Sequence, residues 1–182
     1  ISRFDRLKDP LGVIDAFLLV KKYVDCRLLL AGGTASDDPE GIKVAEEVKD
    51  KARNNSDIIV LELPHNDIEV NALQRASDVI VQKSIREGFG LTVAEALWKA
   101  KPVVASNVGG IPSLIENGKT GILVESENEG QLAGAIIQLL QNKGAAAQIG
   151  RAARVFIEQK YSADQMIDKT LNLYGQLMGK RA

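Results

Sequence analysis

Short runs of apolar residues alternate along the chain with longer stretches in which apolar residues recur every three or four positions. The short runs predict strands covered on both faces and the longer stretches predict amphipathic helices, a pattern of repeated strand–helix units around a parallel sheet. Strands are expected at 28–31, 58–63, 79–81, 103–105 and 122–124. Helices are expected from residue 10 to about 23, over 39–53, 68–76 and 91–100, and briefly near 111–115. Asp9 can cap the first of these, with Pro10 in the first turn, where a missing N–H does no harm. Three more helices, about 129–141, 145–159 and 164–178, close the chain. The expected fold is a single α/β domain over residues 1–182, a doubly wound, Rossmann-like parallel sheet with a C-terminal helical tail. Because Ile1 reads as the end of a strand, the chain is expected to be a fragment.

Composition narrows the function classes. Apolar residues make up 45% and charged residues 26%, as in a water-soluble globular domain. The 23 Lys and Arg against 24 Asp and Glu leave a net charge of −1, without the basic excess a nucleic-acid surface needs, so no nucleic-acid partner is expected. No apolar run approaches the ~18 residues of a membrane span, and no membrane partner is expected. The single cysteine, Cys26, cannot form an internal disulfide and fits a reducing compartment, so a cytoplasmic setting is expected. His65 is the only histidine, no nucleophile motif accompanies it, and no His/Cys cluster has zinc spacing, so no metal site is expected.

In a doubly wound sheet ligands bind where strands end and loops lead into helices, here after Ser2, Ala31, Leu63, Gln82 and Ser106. The densest candidate is Glu87-Gly88-Phe89-Gly90-Leu91-Thr92, with two glycines just before a helix start. Such a turn brings backbone close to a ligand and offers the unpaired N–H groups of a helix N-terminus to an anion, or it is only a tight turn. Glu95 on the following helix either reaches a ligand's hydroxyls or forms a solvent-facing stripe with Thr92 and Lys99, in the i,i+4 order that favours a Glu95–Lys99 ion pair. Arg3 and Lys8 flank the first loop and could clamp a diphosphate, or be merely solvated. The pairs Gly32-Gly33 and Gly109-Gly110 allow a ligand to approach or only a turn. Asp37-Asp38 reads as loop polarity before Pro39, and Trp98 as a core residue.

Taken together these residues resemble a known family. Glu87-Gly88-Phe89-Gly90-Leu91 followed by Glu95 is similar to the E-x7-E signature of the family 4 retaining glycosyltransferases of the GT-B fold. Ser2-Arg3-Phe4 with Lys8-Asp9-Pro10 resembles the same family's donor-phosphate motif, and the likeness extends over nearly the whole chain. The resemblance implies the C-terminal, donor-binding domain of a hexosyltransferase that moves glucose from a nucleoside diphosphate glucose to a sugar acceptor. It implies that Arg3 and Lys8 neutralise the diphosphate, and that N–H groups around Gly88, Phe89, Gly90, Leu91 and Thr92 cradle it. It implies that Glu87 positions the transferred sugar and Glu95 the ribose, which favours the ligand reading of Glu95. Gly33 and Pro64 would flank the nucleobase. Arg3, Lys8 and Glu87 would thus form the catalytic set. No cofactor would be required, although a divalent ion could accompany the nucleotide. The N-terminal acceptor domain would be missing, leaving the fragment able to bind donor but inactive, and its former interface open to a homodimer. An epimerase of the same fold and a non-catalytic α/β binding module are the alternatives.

Overall fold

The structure, a computed structural model, describes residues 1–33, 39–63 and 67–179. After a 3-10 turn at Arg6–Lys8, the chain forms α1 (Pro10–Val20), β1 (Leu28–Gly32), α2 (Pro39–Ala52), β2 (Ile58–Glu62) and α3 (Asp67–Ala76). It continues through β3 (Ile80–Gln82), α4 (Leu91–Trp98), β4 (Val103–Ser106), α5 (Ile111–Leu114) and β5 (Ile122–Val124). The helices α6 (Glu129–Gln141), α7 (Lys143–Tyr161) and α8 (Ala163–Gly179) complete it. This is the parallel α/β architecture with C-terminal helices that the apolar pattern predicts.

β1 pairs with β2, placing Leu28 opposite Ile58, while β4 lies between β3 and β5, with Ile80 opposite Val103 and Val104 opposite Ile122. Every pairing is parallel, and the strands fall into two portions, β1–β2 and β3–β4–β5. Helices cover both faces of β4, so all four of its residues are buried. On one side Leu97, Ile111, Leu114 and Ile157 from α4, α5 and α7 form the core. On the other, Val20 of α1 meets Leu132 and Leu139 of α6. A third cluster packs Ile14 and Phe17 of α1 with Val44 and Val48 of α2 over β1 and β2. Each such side chain stabilises the fold by roughly 1.5–3 kcal/mol through loss of apolar surface from water.

Local chemistry sets the helix starts that matter. Asp9 adopts φ 41° and accepts a hydrogen bond from Gly12 N at 3.0 Å, capping α1 ahead of Pro10. Gly90, at φ 91°, begins α4 without any side-chain cap. One expectation needs correction, and one element is added. Trp98 is 39% exposed rather than in the core, because it faces outward from α4 and the Arg154 guanidinium lies 4.1 Å from its ring centre. The chain also forms the Arg6–Lys8 turn, which no apolar period marks; Asp5 Oδ1 caps it by accepting from Leu7 N at 2.6 Å. Among the described residues no helix is long and apolar enough to cross a membrane.

Candidate functional site

The segment Ser2 to Phe4 runs beside the end of β1. Ser2 N donates to Ala31 O at 3.1 Å and Phe4 N to Gly33 O at 3.4 Å. The approach leaves no room for a side chain on β1: a Cβ on Gly32 would sit 1.8 Å from Ser2 O. Leu63 N donates to Gly32 O at 2.9 Å, so Gly33 and the end of β2 lie at the same edge. Pro64, expected to flank the nucleobase with Gly33, lies outside the described residues, as do His65, Asp37 and Asp38.

The two expected cations differ in their surroundings. The Arg3 side chain is 67% exposed and pairs with Asp5 at 3.5 Å. Lys8, at the end of the 3-10 turn, is mostly buried, and its Nζ meets Glu87 Oε2 at 2.5 Å. That meeting is prepared by the backbone, since Ile85 N donates to Leu7 O at 2.8 Å and draws the 3-10 turn against the loop after β3. Glu87 is held further by its Oε1, which accepts from Gly88 N at 3.1 Å. Behind it, buried Ser84 donates its N–H to Ser106 Oγ at 3.1 Å and accepts from Gln82 Nε2 at 2.9 Å.

The loop after β4 braces the same segment. Gly110 N donates to Glu87 O at 3.4 Å, and Cβ atoms on Gly109 and Gly110 would meet Glu87 O at 1.7 Å and Gly88 O at 2.3 Å. Gly109-Gly110 thus admits the chain's own backbone. Phe89 packs its ring edge-on to Tyr161, with 5.8 Å between centroids. The amides of Leu91, Thr92 and Val93 in the first turn of α4 have no carbonyl four residues earlier in the helix to bond. Leu91 is 69% exposed, so this turn opens to solvent four residues after Glu87. The positive end of the α4 dipole and the Lys8 ammonium therefore belong to one loop system.

Glu95 faces α3. Its Oε2 accepts from Gln74 Nε2 at 2.9 Å, and Lys99 Nζ donates to Gln74 Oε1 at 2.6 Å. The expected Glu95–Lys99 ion pair is therefore replaced by a bridge through the fully buried Gln74 amide, which can serve both partners at once. Burial lowers the pKa of Lys99 despite the charge of Glu95 nearby. Gln74 escapes a reading by residue pattern because it sits in a polar stretch, Gln74-Arg75, of an otherwise solvated helix.

Lys83 is a second residue that the sequence pattern does not single out. Its side chain is 2% exposed and forms ion pairs with Asp9 and, at 3.0 Å, with Glu129 at the start of α6. Burial pulls its pKa down, yet the hydrogen bonds to Asp9 and Glu129 outweigh this and hold it above the ordinary lysine value. Lys83 thereby fixes the left-handed Asp9, the residue that follows Lys8. Among the described residues no group of three or more His, Cys, Asp or Glu side chains is placed to hold a metal ion.

Residues 1–156 match the sequence family described as Glycosyl transferases group 1. Over 98% of its length the chain is 44% identical to trehalose synthase from Rubrobacter xylanophilus, of which it covers 43%. The fold superimposes on sucrose-phosphate synthase from Thermosynechococcus elongatus with a TM-score of 0.84 at 26% identity, covering 98% of this chain and 44% of that one. It superimposes with a TM-score of 0.80 at 26% identity on Anabaena HepE solved in complex with UDP, covering 94% of this chain and 47% of that one. The chain thus spans less than half the length of the curated relatives it matches.

Proposed function

Because this chain belongs to the glycosyl transferases group 1 family, we propose that it is the donor-binding half of a retaining hexosyltransferase that takes glucose from a nucleoside diphosphate glucose. The observation that carries this reading is the Lys8–Glu87 pair, set into the loop that leads to the uncapped N-terminus of α4. A lysine ammonium has three N–H donors, and Glu87 takes one. The other two, with the Arg3 guanidinium and the amides of Leu91 and Thr92, suit the oxygens of a diphosphate. Gly88, Phe89 and Gly90 shape that cradle. Glu87 is then placed to hold hydroxyls of the transferred sugar and Glu95 those of the ribose, while Gly33 and Pro64 flank the base.

In this reaction the bond between the sugar's anomeric carbon and the phosphate oxygen breaks. A new bond forms to an acceptor hydroxyl on the same face, and the acceptor's proton passes to the departing phosphate. Negative charge grows on that phosphate, where prepositioned donors act most strongly; removal of one such donor typically costs about 2.7–4 kcal/mol. Arg3 and Lys8 supply the positive charge that offsets it, and a divalent ion can travel with the nucleotide without being needed to hold it. Trehalose formation is supported by the identity to the Rubrobacter enzyme, and a cytoplasmic setting by the lone cysteine.

The acceptor site belongs to an N-terminal domain of the longer protein, so the 182-residue chain alone binds donor weakly and transfers nothing. The exposed apolar side chains of α8, among them Leu171, Tyr174 and Leu177, would meet that domain, or a second copy of this chain in its absence. Calorimetric titration of the chain with uridine, adenosine and guanosine diphosphates tests the donor reading. At least one binds, and Arg3→Ala and Glu95→Ala weaken it. Undetectable binding of all three overturns the reading, and trehalose formation by the chain alone overturns the division of labour.

A further inference from the structure

Helix α3 buries a single residue, and that residue is polar. Gln74 is fully buried, while the rest of the helix stays partly or wholly exposed. A leucine of similar volume would fill the position without any desolvation penalty, whereas a buried amide destabilises unless both its ends are bonded. Both ends are bonded here, Nε2 to Glu95 Oε2 and Oε1 to Lys99 Nζ. The amide cannot be reversed. A carboxylate only accepts, so the NH2 end must face Glu95, and an ammonium only donates, so the carbonyl must face Lys99. Lys99 is held in turn, because its Nζ also donates to Glu95 O at 3.5 Å, one turn back along α4. A hydrogen bond to an ionised group at each end strengthens the whole bridge.

The bridge fixes one oxygen of Glu95 and leaves the other. Glu95 is exposed as a residue, and among the described residues its Oε1 has no hydrogen-bond partner. A direct ion pair with Lys99 would occupy the carboxylate, whereas the amide holds it in place and keeps its remaining lone pairs open to hydroxyl donors. Glu95 lies one turn beyond Leu91 on α4, ~5.4 Å along the axis, and its Cβ tilts back toward the helix N-terminus. A nucleotide with its diphosphate at that N-terminus has its ribose within this reach, since one ester link joins the two. We infer that Gln74 is a positioning residue for the donor site: by locking the Glu95 carboxylate it makes the site read the 2′ and 3′ hydroxyls of a ribose and discriminate against a sugar that lacks them. This inference rests on the donor reading, in which Glu95 holds the ribose. Without Gln74 the long Glu95 side chain would turn among its rotamers and would have to be ordered at each binding event. Gln74 removes that penalty beforehand, so its effect falls on hydroxyl recognition and not on the phosphate contacts.

The test titrates the chain calorimetrically with uridine, adenosine and guanosine diphosphates, each in its ribo and its 2′,3′-dideoxy form. The native chain favours the ribo form of the nucleotide it binds by about tenfold or more, as expected for hydrogen bonds to a charged group. Gln74→Leu removes the bridge, and Gln74→Glu keeps an acceptor for Lys99 but loses the donor to Glu95. Each variant brings the preference below about twofold, while affinity for the dideoxy form, which reports the phosphate contacts alone, stays at the native value. Should both variants fail to fold, Lys99→Met serves in their place: it frees the far end of the amide and lowers the preference by about threefold. A native-like ribo preference in a folded variant overturns the role of Gln74 and leaves the donor reading intact. So does an equal loss of affinity for both forms, the mark of a purely structural residue. Equal native affinity for the two forms overturns the assignment of the ribose to Glu95 and the inference with it. A native chain that binds none of the nucleotides overturns the donor reading itself, and the role of Gln74 falls with it.

Discussion

Lys83 shows how much of the site rests on a residue that need not touch a ligand. Its ammonium is out of water and is shared between Asp9 and Glu129, so removing it leaves two carboxylates facing one another across a small gap. Lys83→Met is expected to cost about 2 kcal/mol, less than the ~3–5 kcal/mol of a fully buried pair because Glu129 is one-third exposed. Chemical denaturation measures this. Nucleotide affinity should fall as well, because Asp9 no longer fixes the turn that presents Lys8. The pH dependence follows from the shifts. Lys83 lies above its ordinary 10.5, so its contribution is complete below that value and is lost as pH rises through the higher folded value. The Lys83 hydrogen bond holds Glu129 below its ordinary 4.5, so its contribution is complete above 4.5 and is lost as pH falls through the lower folded value. Lys83→Met should flatten stability at both extremes. At this scale the sequence shows Glu87 and Lys8 only through family likeness, since spacing alone allows a turn and a solvated pair. Gln74 and Lys83 stay hidden because their burial is created by neighbours remote in the chain.

Elements were legible where their signal is local. β5 and α6 have the expected bounds, and Asn128 caps α6 through Gln131 N at 2.9 Å. α4 ends two residues early, at Trp98, because Ala100 takes φ 55° and Lys101 N turns back to Ala96 O. The division of the sheet was not legible, because an apolar run does not say which strand lies beside it. Gly109 is a sharp test of how two loops cooperate. With φ 54° and a Cβ that would fall on Glu87 O, Gly109→Ala must displace the loop holding Glu87. Gly118→Ala has a similar backbone strain at φ 78° and open space around it. Gly118→Ala should lose about 1–2 kcal/mol in thermal unfolding and Gly109→Ala more, because Glu87 O must also move, while only Gly109→Ala lowers nucleotide affinity. Equal affinity in the two variants would remove the bracing role. The helix α8 tests a different property, since its described residues include none that is buried. Its amides should exchange earliest among the helices, and ending the chain at Ser162 should leave the Tm of the remainder nearly unchanged.

At the scale of the whole molecule, the helical layers and parallel strands bring one edge of the protein together: the end of β1, the 3-10 turn, the loop after β3 and the start of α4. Charge there is local, set against a net charge of only −1, so recognition depends on placement and not on a general field. The central claim is that Lys8, held by Glu87 beside the α4 N-terminus, reads a diphosphate. The most direct measurement compares equilibrium binding of a nucleoside diphosphate and its monophosphate by the native chain and by Lys8→Met. The native chain should prefer the diphosphate by about tenfold or more, the worth of one charge-assisted contact, and Lys8→Met should lose most of that preference. An undiminished preference in Lys8→Met, or equal affinity of the native chain for both nucleotides, would contradict it.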